Sequence, residues 1–549
     1  MIAFIAQNLA PIMFGSLILF LLLGYPVAFS LAANGLFFFV LAVELSPYSN
    51  DISLAWPLLE TLSGRILDVM RNETLLAIPF FTFMGIILEK TGMAEDLLDT
   101  IGQLFGPIRG GLAYAVILVG ALLAATTGVV AASVMAMGLI SLPIMLRYGY
   151  DRPLATGVIA ASGTLAQIIP PSLVLIVLAD QLGRSVGDMY SGAVLPGLML
   201  TGLYLLFVLF MSVVAPAKVP ALPVAARTLR GSAWPLLALA LAGLAIGYGA
   251  YQFFLPRVET GADIWAATVA VVAVYLYALA DQHYGFNSLS DLAQRVVIVL
   301  VPPLALIFLV LGTIFLGIAT PTEGGAMGAT GALLMALGKR RLNYTLLSDA
   351  LEATTRLSSF VLFILIGSRI FSLTFYGING HIWVEHLFLG LPGGTMGFMI
   401  AVNVLVFILG CFIDFFEIAF IVIPLLAPVA EKLGIDLVWF GIILGMNLQT
   451  SFLTPPFGFA LFYMRSVAPD RPYTDKVTGK VLAGIKTTDI YRGAVAFILL
   501  QIIMIIVVVA FPHLSITAAG PKVDPNSIDI QIPFGGAPDA GPPAPPSFN

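Results

Sequence analysis

Two stretches of the chain combine small polar residues with adjacent prolines inside long apolar runs. The first run, residues 154–179, contains Pro170-Pro171, and the second, residues 437–464, contains Pro455-Pro456. A proline donates no backbone hydrogen bond and clashes with the preceding turn, so neither run can form one continuous helix. Carbonyls freed by such a break are tolerated in hydrocarbon only where they face protein, water, an ion or a substrate. The two stretches therefore predict sites where oxygen atoms coordinate a cation.

The amino-acid composition indicates whether these sites lie in water or in a membrane. Hydrophobic residues make up 59% of the 549 residues, charged residues only 10%, and the mean hydropathy is +1.02. These values are typical of a polytopic membrane protein, so most of the chain lies within a lipid bilayer. The net charge of −5 argues against nucleic acid as a partner. The single cysteine, Cys411, excludes a disulfide framework.

The runs of apolar residues divide the chain into seven segments. In order, we expect N-terminal scaffold helices, a first repeat, an inserted linker with a helix pair, second-half scaffold helices, a second repeat, a cytoplasmic loop with a last span, and a disordered tail. Their bounds are 1–73, 74–215, 216–295, 296–357, 358–468, 469–512 and 513–549.

The apolar run at residues 113–146 is too long for one span and contains no charge that would mark an ordinary loop. Thr126-Thr127-Gly128 interrupts it near the centre. We therefore predict a re-entrant helical hairpin with its tip at residues 126–133, in front of a broken helix at residues 154–179.

Residues 75–180 and 358–468 share landmarks whose numbers differ by a nearly constant offset, between 281 and 285. The matched landmarks are Gly85 with Gly367, Gly110-Gly111 with Gly393-Gly394, Pro143 with Pro424, Gly149 and Asp151 with Gly434 and Asp436, and Pro170-Pro171 with Pro455-Pro456. The repeat predicts a second hairpin at residues 397–433, with its tip near 410–414, and a second broken helix at 437–464. Counting back from the matched prolines pairs Ser133 with Asp414.

Basic residues in three connecting segments predict the orientation of the two repeats. They are Lys218, Arg227 and Arg230, then Lys339, Arg340 and Arg341, then Arg471, Lys476, Lys480 and Lys486. If all three segments are cytoplasmic, the first hairpin enters from the cytoplasm and the second from the opposite face, so the repeats are inverted. Two tandem bundles of ordinary paired helices are the alternative.

Two groups of residues are candidate Na⁺ ligands, because broken helices and hairpin tips offer carbonyl oxygens and half-helix ends near mid-depth. The first group is Thr127, Gly128, Ser133, Gly163, Thr164, Ile169 and Pro170, and the second is Gly410, Asp414, Gln449, Thr450, Thr454 and Pro455. Close helix packing is the alternative role for these small residues.

Arg369 lies near the middle of an apolar run, where an ionisable residue indicates a functional site. Its guanidinium could hold a substrate carboxylate by two hydrogen bonds. Pairing with Asp414 or Glu417 for structure alone is the alternative. We take Arg369, Ser172 and Asp414 as candidate substrate-binding residues, whereas Glu323 is expected to cap a helix.

Four segments resemble the large membrane subunit of tripartite ATP-independent periplasmic (TRAP) transporters. They are Gly110-Gly111-Leu112, the stretch from Arg147 to Ser172, Thr320-Pro321-Thr322-Glu323, and the break Leu453-Thr454-Pro455-Pro456. The resemblance covers nearly the whole chain except residues 216–295 and the tail. It is closest to the branch labelled for mannitol or chloroaromatic compounds. Thr126 to Val130 depart from the Gly-Ser-Ser of most members, which favours carbonyl over side-chain ligands at this tip.

This resemblance implies an all-α fold of two inverted repeats and a Na⁺-driven elevator mechanism, as in the ion transporter superfamily. It also implies a small four-helix membrane subunit and a periplasmic substrate-binding protein as partners, an organic-anion substrate, and a bacterial inner membrane. No ATP is expected, and the sequence contains no phosphate-binding loop motif.

Three other functions remain as alternatives. A stand-alone Na⁺-coupled dicarboxylate carrier could have the same hairpins. A membrane-embedded enzyme would need a cluster of Asp, His or Arg at one face, and a passive channel would not need hairpins from both sides.

Overall fold

The computed structural model describes residues 2–229, 234–258, 261–286, 288–475 and 477–515. Residues 516–549 of the expected disordered tail lie outside this part. The described chain is helical except for one two-stranded ladder, so the fold is all-α as predicted. Eight of its helices are long and apolar enough to cross a membrane, and two bent helix pairs bring the total to ten. The chain is a polytopic membrane protein.

The N-terminal helices belong to the scaffold that borders the repeats. They are α1 (Ile2–Gln7), α2 (Leu9–Leu22), α3 (Val27–Leu45) and α4 (Thr61–Met70). Helix α3 packs closely along a later helix, because a Cβ atom at Gly35 would lie 2.9 Å from the backbone of Phe371.

Seven helices form the first half of the repeat structure, and their boundaries follow local capping residues. Asp151 accepts a hydrogen bond from the Leu154 amide and starts α9, and Gly110 precedes α7 with a positive φ of 80°. The helices are α5 (Ala77–Lys90), α6 (Met93–Phe105), α7 (Gly111–Thr127), α8 (Val130–Arg147), α9 (Arg152–Thr164), α10 (Leu173–Gln181) and α11 (Val186–Val214).

The inserted pair and the second-half scaffold helices follow. These are α12 (Trp234–Phe254), α13 (Ala262–Tyr284), α14 (Asp291–Phe315) and α15 (Pro321–Gly338). Thr320 and Glu323 form a capping box at the start of α15, so Glu323 caps a helix as expected.

The second half repeats the order of the first. Its helices are α16 (Tyr344–Gly377), α17 (Gly380–Leu389), α18 (Gly394–Gly410), α19 (Phe415–Ile421), α20 (Ile423–Lys432), α21 (Leu437–Phe452), α22 (Phe459–Val467) and α23 (Thr487–Ala510), with the ladder β1 (Tyr473–Thr474) and β2 (Val481–Leu482) before α23. The segment boundary that we set between residues 357 and 358 lies inside the continuous helix α16.

Both predicted hairpins and both broken helices are present. The first hairpin is α7–α8 and the second is α18–α19–α20, while α9–α10 and α21–α22 are the broken helices. The register between the two hairpins differs from the one we predicted when we paired Pro143 with Pro424 and Ser133 with Asp414. The first and last residue numbers of α8 and of the arm α19–α20 differ by the same offset, 285, so Pro143 corresponds to Pro428 and not to Pro424. Asp414, the N-cap of α19, therefore corresponds to Val129, the N-cap of α8, and not to Ser133.

Contacts between helices give the relative direction of the repeats. Helices α9 and α23 run parallel, because Gly157 adjoins Gly493 and Thr164 adjoins Gln501. Helices α11 and α21 are also parallel, because Gly192 lies beside Val438 and Tyr204 beside Gln449.

Helices α11 and α23, in contrast, are antiparallel. Tyr204 meets Gln501 at 2.7 Å, and Phe207, one turn later, meets Phe497, one turn earlier, with ring centroids 5.2 Å apart. It follows that the equivalent helices α9 and α21 are antiparallel. The two repeats are inverted relative to each other.

The basic connecting segments lie at one end of the molecule. Lys339 pairs with Asp96 at 2.9 Å, Arg147 pairs with Asp475, and the Lys218 carbonyl accepts from the Asp151 amide. Arg230 and Lys476 lie outside the described residues. The base of the first hairpin is at this end.

The base of the second hairpin is at the other end. Glu431 pairs with Arg184 at 3.4 Å, just before α11 starts. Because α11 runs from there to the linker at Lys218, the two hairpins enter from opposite ends.

The ion pair of Arg147 with Asp475 fastens the base of the first hairpin to the loop between α22 and α23. The Arg147 side chain donates three hydrogen bonds of 2.9 to 3.1 Å to a carboxylate that is 3% exposed. The guanidinium holds the pKa of Asp475 well below its usual range.

A lowered folded-state pKa contributes stability above the unfolded value, of about 3.9, which is lost as pH falls through the folded pKa. We therefore expect Asp475→Asn to lower the melting temperature of the detergent-solubilised protein at pH 7. The difference from wild type should shrink below about pH 4. Asp470→Asn, at an exposed position of the same loop, is the control and should leave the curve unchanged. A constant difference down to pH 2 would contradict this assignment.

Candidate functional site

Each hairpin tip lies against the break in the broken helix of its own repeat. At the first tip, a Cβ atom at Gly128 would lie 3.5 Å from the Pro171 carbonyl oxygen. At the second tip, a Cβ atom at Gly410 would lie 2.9 Å from Ser451 Cβ. Since the breaks fall midway along their helices, both hairpins end partway across the molecule, as a re-entrant hairpin does.

The first break leaves backbone carbonyls without protein donors. Helix α9 ends at Thr164 and α10 starts at Leu173. Among the described residues, no donor hydrogen-bonds to the carbonyl oxygens of Ile168, Ile169 or Pro170. All three atoms lie in the region that we predicted for a cation, where carbonyls are suitable ligands.

Ser172, a predicted substrate-binding residue, caps a helix at the first break. Its hydroxyl donates to the Gln167 carbonyl at 2.8 Å and accepts from the Leu175 amide, so it caps α10. The side chain is fully buried. We infer that Ser172 fixes the geometry of the first break.

The second break shows the same pattern with more hydroxyl groups. Thr450 donates to the Met446 carbonyl and Thr454 to the Thr450 carbonyl, each at 2.9 Å. The hydroxyl oxygens keep lone pairs for a cation. No described donor reaches the carbonyl oxygens of Leu453 or Pro455.

Two carboxylates occupy the second hairpin tip. Asp414 accepts from the Phe415 amide at 2.7 Å, and Glu417 accepts from the Asp414 amide at 3.1 Å. Glu417 is 8% exposed, and neither carboxylate has an ion-pair partner within the described ranges. A buried carboxylate without a basic partner is costly unless a cation or proton accompanies it.

A buried polar cluster connects the two breaks at the centre of the molecule. The Gln449 amide nitrogen lies 3.3 Å from Thr164 Oγ1, and these residues hold equivalent positions in the two repeats. Tyr204 from α11 and Gln501 from α23 complete the cluster, with 2.7 Å between the Gln501 amide nitrogen and the Tyr204 hydroxyl. All four side chains are at most 1% exposed. Thr164 and Gln449, which we assigned to separate groups, therefore meet.

Arg369 is exposed and makes no ion pair with any described carboxylate, so the predicted alternative of pairing with Asp414 or Glu417 is wrong. The preceding residue, Ser368, donates to the Phe420 carbonyl of the second hairpin. Tyr376, two turns later on the face of Arg369, donates to the Pro424 carbonyl. Arg369 thus lies on α16 beside the second hairpin.

Two helices begin side by side at mid-depth without a capping side chain. Helices α8 and α22 pack together through Gly138 and Met464, and their C-terminal ends approach the same loop at Asp475. They are therefore parallel, and neither N-terminus has a side-chain cap. Unpaired amides at such N-termini favour an anion.

The remaining predicted ligands line the first hairpin. Ser133 is buried one turn inside α8, and Gly128 has a positive φ of 59° at the tip. The side chain of Thr127 lies outside the described part. Gly163 permits close contact, since a Cβ atom there would lie 3.0 Å from the Val134 amide nitrogen and 3.1 Å from its Cα.

Gly163→Ala should therefore force the first hairpin away from α9. Overpacking of this kind costs about 1–3 kcal/mol, so we expect a lower melting temperature and reduced uptake. Gly202→Ala is the matched control, because no atom lies within 4 Å of the added methyl group. If both variants behave like wild type, Gly163 does not set this contact.

Comparison with known proteins identifies the family. The family model described as "Tripartite ATP-independent periplasmic transporter, DctM component" matches residues 14–514. The chain belongs to this DctM family. The match confirms the predicted resemblance of this chain to the large TRAP subunit. The family consists of transporter components, so the membrane-embedded enzyme is excluded.

Two relatives of this DctM chain are named as TRAP transporter permeases. The C4-dicarboxylate TRAP transporter large permease protein DctM of Pseudomonas aeruginosa is 30% identical, over 83% of this chain and 88% of that protein. The isethionate TRAP transporter permease protein DctMQ of Oleidesulfovibrio alaskensis is 26% identical, over 83% of this chain and 60% of that protein. Among solved structures, the Alcanivorax borkumensis YdaH transporter has a TM-score of 0.49 at 14% identity, over 88% of this chain and 99% of that one.

Sequence reasoning missed Tyr204 and Gln501, and it named Glu417 only as a possible partner of Arg369. Gln501 carries a signal that could have been read, since it is the polar side chain within the last apolar span. Glu417 follows Asp414 at capping-box spacing. Tyr204 carries no such signal, because its position opposite both breaks follows only from tertiary packing.

Proposed function

We propose that this chain is the large permease subunit of a Na⁺-coupled importer of organic acids in a bacterial inner membrane. The observation that carries the proposal is the duplicated break with its hairpin tip. Two inverted repeats place unwound backbone and oxygen-rich side chains at the same depth, which is the arrangement typical of secondary transporters.

Na⁺ would bind beside each hairpin tip. The free carbonyls of Ile168, Ile169 and Pro170 serve the first site, with Gly128 of the hairpin tip beside the break. The carbonyl of Pro455 and the oxygens of Thr450, Thr454 and Asp414 serve the second. Hard oxygen ligands of this kind suit Na⁺, and a cation next to Asp414 would offset its unpaired charge.

The substrate carboxylate would bind at the uncapped N-termini of α8 and α22. The exposed guanidinium of Arg369, on α16 beside the second hairpin, is a further candidate for binding it. Helix N-termini and a guanidinium both favour a carboxylate. Relatives named for C4-dicarboxylate and isethionate support an organic anion as substrate. Movement of the hairpins and broken helices as one unit against the scaffold would then be an elevator step.

A small four-helix membrane subunit and a periplasmic substrate-binding protein would be the partners, and the word "tripartite" in the family description supports two further components. The rival is a stand-alone carrier. Uptake into proteoliposomes separates them, using the permease with its small subunit, an inward Na⁺ gradient, and radiolabelled acid with or without the binding protein. We expect uptake only with both the gradient and the binding protein. Equal uptake without the binding protein would favour the stand-alone carrier, and equal uptake without Na⁺ would refute the coupling.

A further inference from the structure

Gln167 is a buried side chain without a hydrogen-bond partner at the first break. It ends a short 3₁₀ turn, Leu165–Gln167, that follows α9, and its side chain is fully buried. Neither its amide oxygen nor its amide nitrogen hydrogen-bonds to any described residue. Burial of a primary amide without partners is costly, so this group requires a specific explanation.

The Gln167 side chain directly precedes the three free carbonyls of the break. The amides of Ile168 and Ile169 both donate to the Leu165 carbonyl, at 3.1 and 2.9 Å, so the chain is folded tightly here. The backbone carbonyl of Gln167 accepts from the Ser172 hydroxyl, which leaves its side chain as the free group. Residues 167–170 therefore each present an oxygen atom that no described donor uses. Amide oxygens of this kind are suitable ligands for a hard cation.

Comparison of the two repeats shows what Gln167 adds to the first break. At a numbering offset of 285, three oxygen-bearing side chains of the second repeat correspond to apolar residues in the first. The pairs are Asp414 with Val129, Thr450 with Leu165, and Thr454 with Ile169. The reverse holds at Gln167, which corresponds to the buried Phe452. Gln167 thus supplies a side-chain oxygen to a break that lacks one at the other three positions.

We propose that Gln167 is a cation ligand, binding Na⁺ through its amide oxygen together with the free carbonyls of the same turn. This inference rests on the proposed function, which places Na⁺ at the first break. It gives that site a side-chain ligand in addition to its backbone carbonyls.

The amide nitrogen of Gln167 has a complementary acceptor in the second repeat. Thr164 and Gln167 are three residues apart in 3₁₀ geometry, so they lie on the same face of the turn. The Gln449 amide nitrogen lies 3.3 Å from Thr164 Oγ1 on this face, and the Gln449 amide oxygen has no described partner. A cation on the Gln167 oxygen leaves the nitrogen to donate to Gln449, which would link the first site to the second repeat.

The test is a Na⁺ titration of the melting temperature of the detergent-solubilised full-length permease, with choline replacing Na⁺ at constant ionic strength. Gln167→Met keeps the length of the side chain but removes both polar atoms. Without Na⁺, we expect this variant to melt at a higher temperature than wild type, because it loses a buried unpartnered amide. With Na⁺, we expect it to gain less than wild type, because a ligand that binds the folded state stabilises it according to its affinity.

The same titration in an Asp414→Asn background isolates the first site, because the second site is weakened there. In this background Gln167→Met should raise the half-saturating Na⁺ concentration about 10-fold. Gln167→Glu is the opposite variant, since it replaces the amide with a charged oxygen ligand. It should melt at a lower temperature than wild type without Na⁺ and gain more from Na⁺.

Ser141→Ala is the matched control. Ser141 is also fully buried in the first repeat with an unpartnered hydroxyl, but it lies inside α8, away from the tip. Its replacement should raise the melting temperature without Na⁺ and leave the gain from Na⁺ unchanged.

Two results would overturn the inference while leaving the proposed function intact. One is a gain from Na⁺ in Gln167→Met that equals that of wild type, which would assign the amide to an ordered water. The other is a gain in Gln167→Glu no larger than that of wild type, and this comparison decides even if Gln167→Met does not fold. A wild-type protein that Na⁺ does not stabilise would instead refute the proposed cation sites, and this inference with them.

Discussion

Arg369→Ala is expected to reduce uptake of an anionic substrate at low substrate concentration by about 10-fold to 100-fold, while the permease still assembles with its partners. The Arg369 side chain is exposed beside the second hairpin and has no described carboxylate partner. Its removal therefore breaks no ion pair that holds the fold. A charge-assisted hydrogen bond to a carboxylate contributes about 1.5–3 kcal/mol, so we expect substrate affinity to fall about 10-fold to 100-fold.

Initial uptake rates over a range of substrate concentrations measure this effect. Arg369→Lys should retain part of the activity, because it keeps the charge but loses the two-pronged geometry. Arg356→Ala is the control on the same helix, with a side chain that is 81% exposed and paired only with Glu352. Normal uptake by Arg369→Ala would assign Arg369 to packing alone.

Asp414→Asn is expected to weaken Na⁺ binding, so that the Na⁺ concentration giving half-maximal uptake rises at least about 10-fold. The substitution removes the charge at the second tip, and about 1.4 kcal/mol of lost cation binding corresponds to tenfold. The asparagine side chain can still accept from the Phe415 amide, so the start of α19 should persist. Uptake rates against Na⁺ concentration, at constant ionic strength, measure the change.

Asp436→Asn is the matched control for this variant. Asp436 also caps a helix in the second repeat, accepting from the Trp439 amide at 2.8 Å, but it is exposed at the base and not at the tip. Its Na⁺ curve should match wild type. An Asp414→Asn curve that also matches wild type would exclude Asp414 as a cation ligand.

The breaks, the hairpins and their inversion could be predicted from sequence, because each depends on local chemistry. Prolines at 170–171 and 455–456 cannot continue a helix, and glycines at 110 and 393 supply positive φ angles before hairpin arms. The positive charges of Lys218 and of the loop at Lys339 were enough to predict that these two connecting segments lie at the same end of the molecule.

The pairing of individual residues between repeats could not be read with the same accuracy. Pro143 was matched to Pro424 although Pro428 holds the equivalent place, because two nearby prolines give offsets of 281 and 285. The true register follows from where helices start and end. The contact of Thr164 with Gln449 was also unpredictable, since it depends on how two distant helices pack.

The direction of the Arg369 side chain could not be predicted from sequence either. Sequence placed it correctly within a long apolar helix but could not give its direction. Its exposure follows from the packing of the two helix faces next to it, one against α3 and one against the second hairpin.

The inversion of the two repeats is the claim on which the sites depend, and labelling of equivalent hairpin bases tests it most directly. Tyr148→Cys at the first base and Leu433→Cys at the second occupy equivalent positions of the repeat, and each is made in a Cys411→Ser background. A membrane-impermeant maleimide is added to intact spheroplasts and to inside-out vesicles. We expect the Tyr148→Cys protein to be labelled only in the vesicles and the Leu433→Cys protein only in the spheroplasts. Labelling of both from the same side would contradict the account.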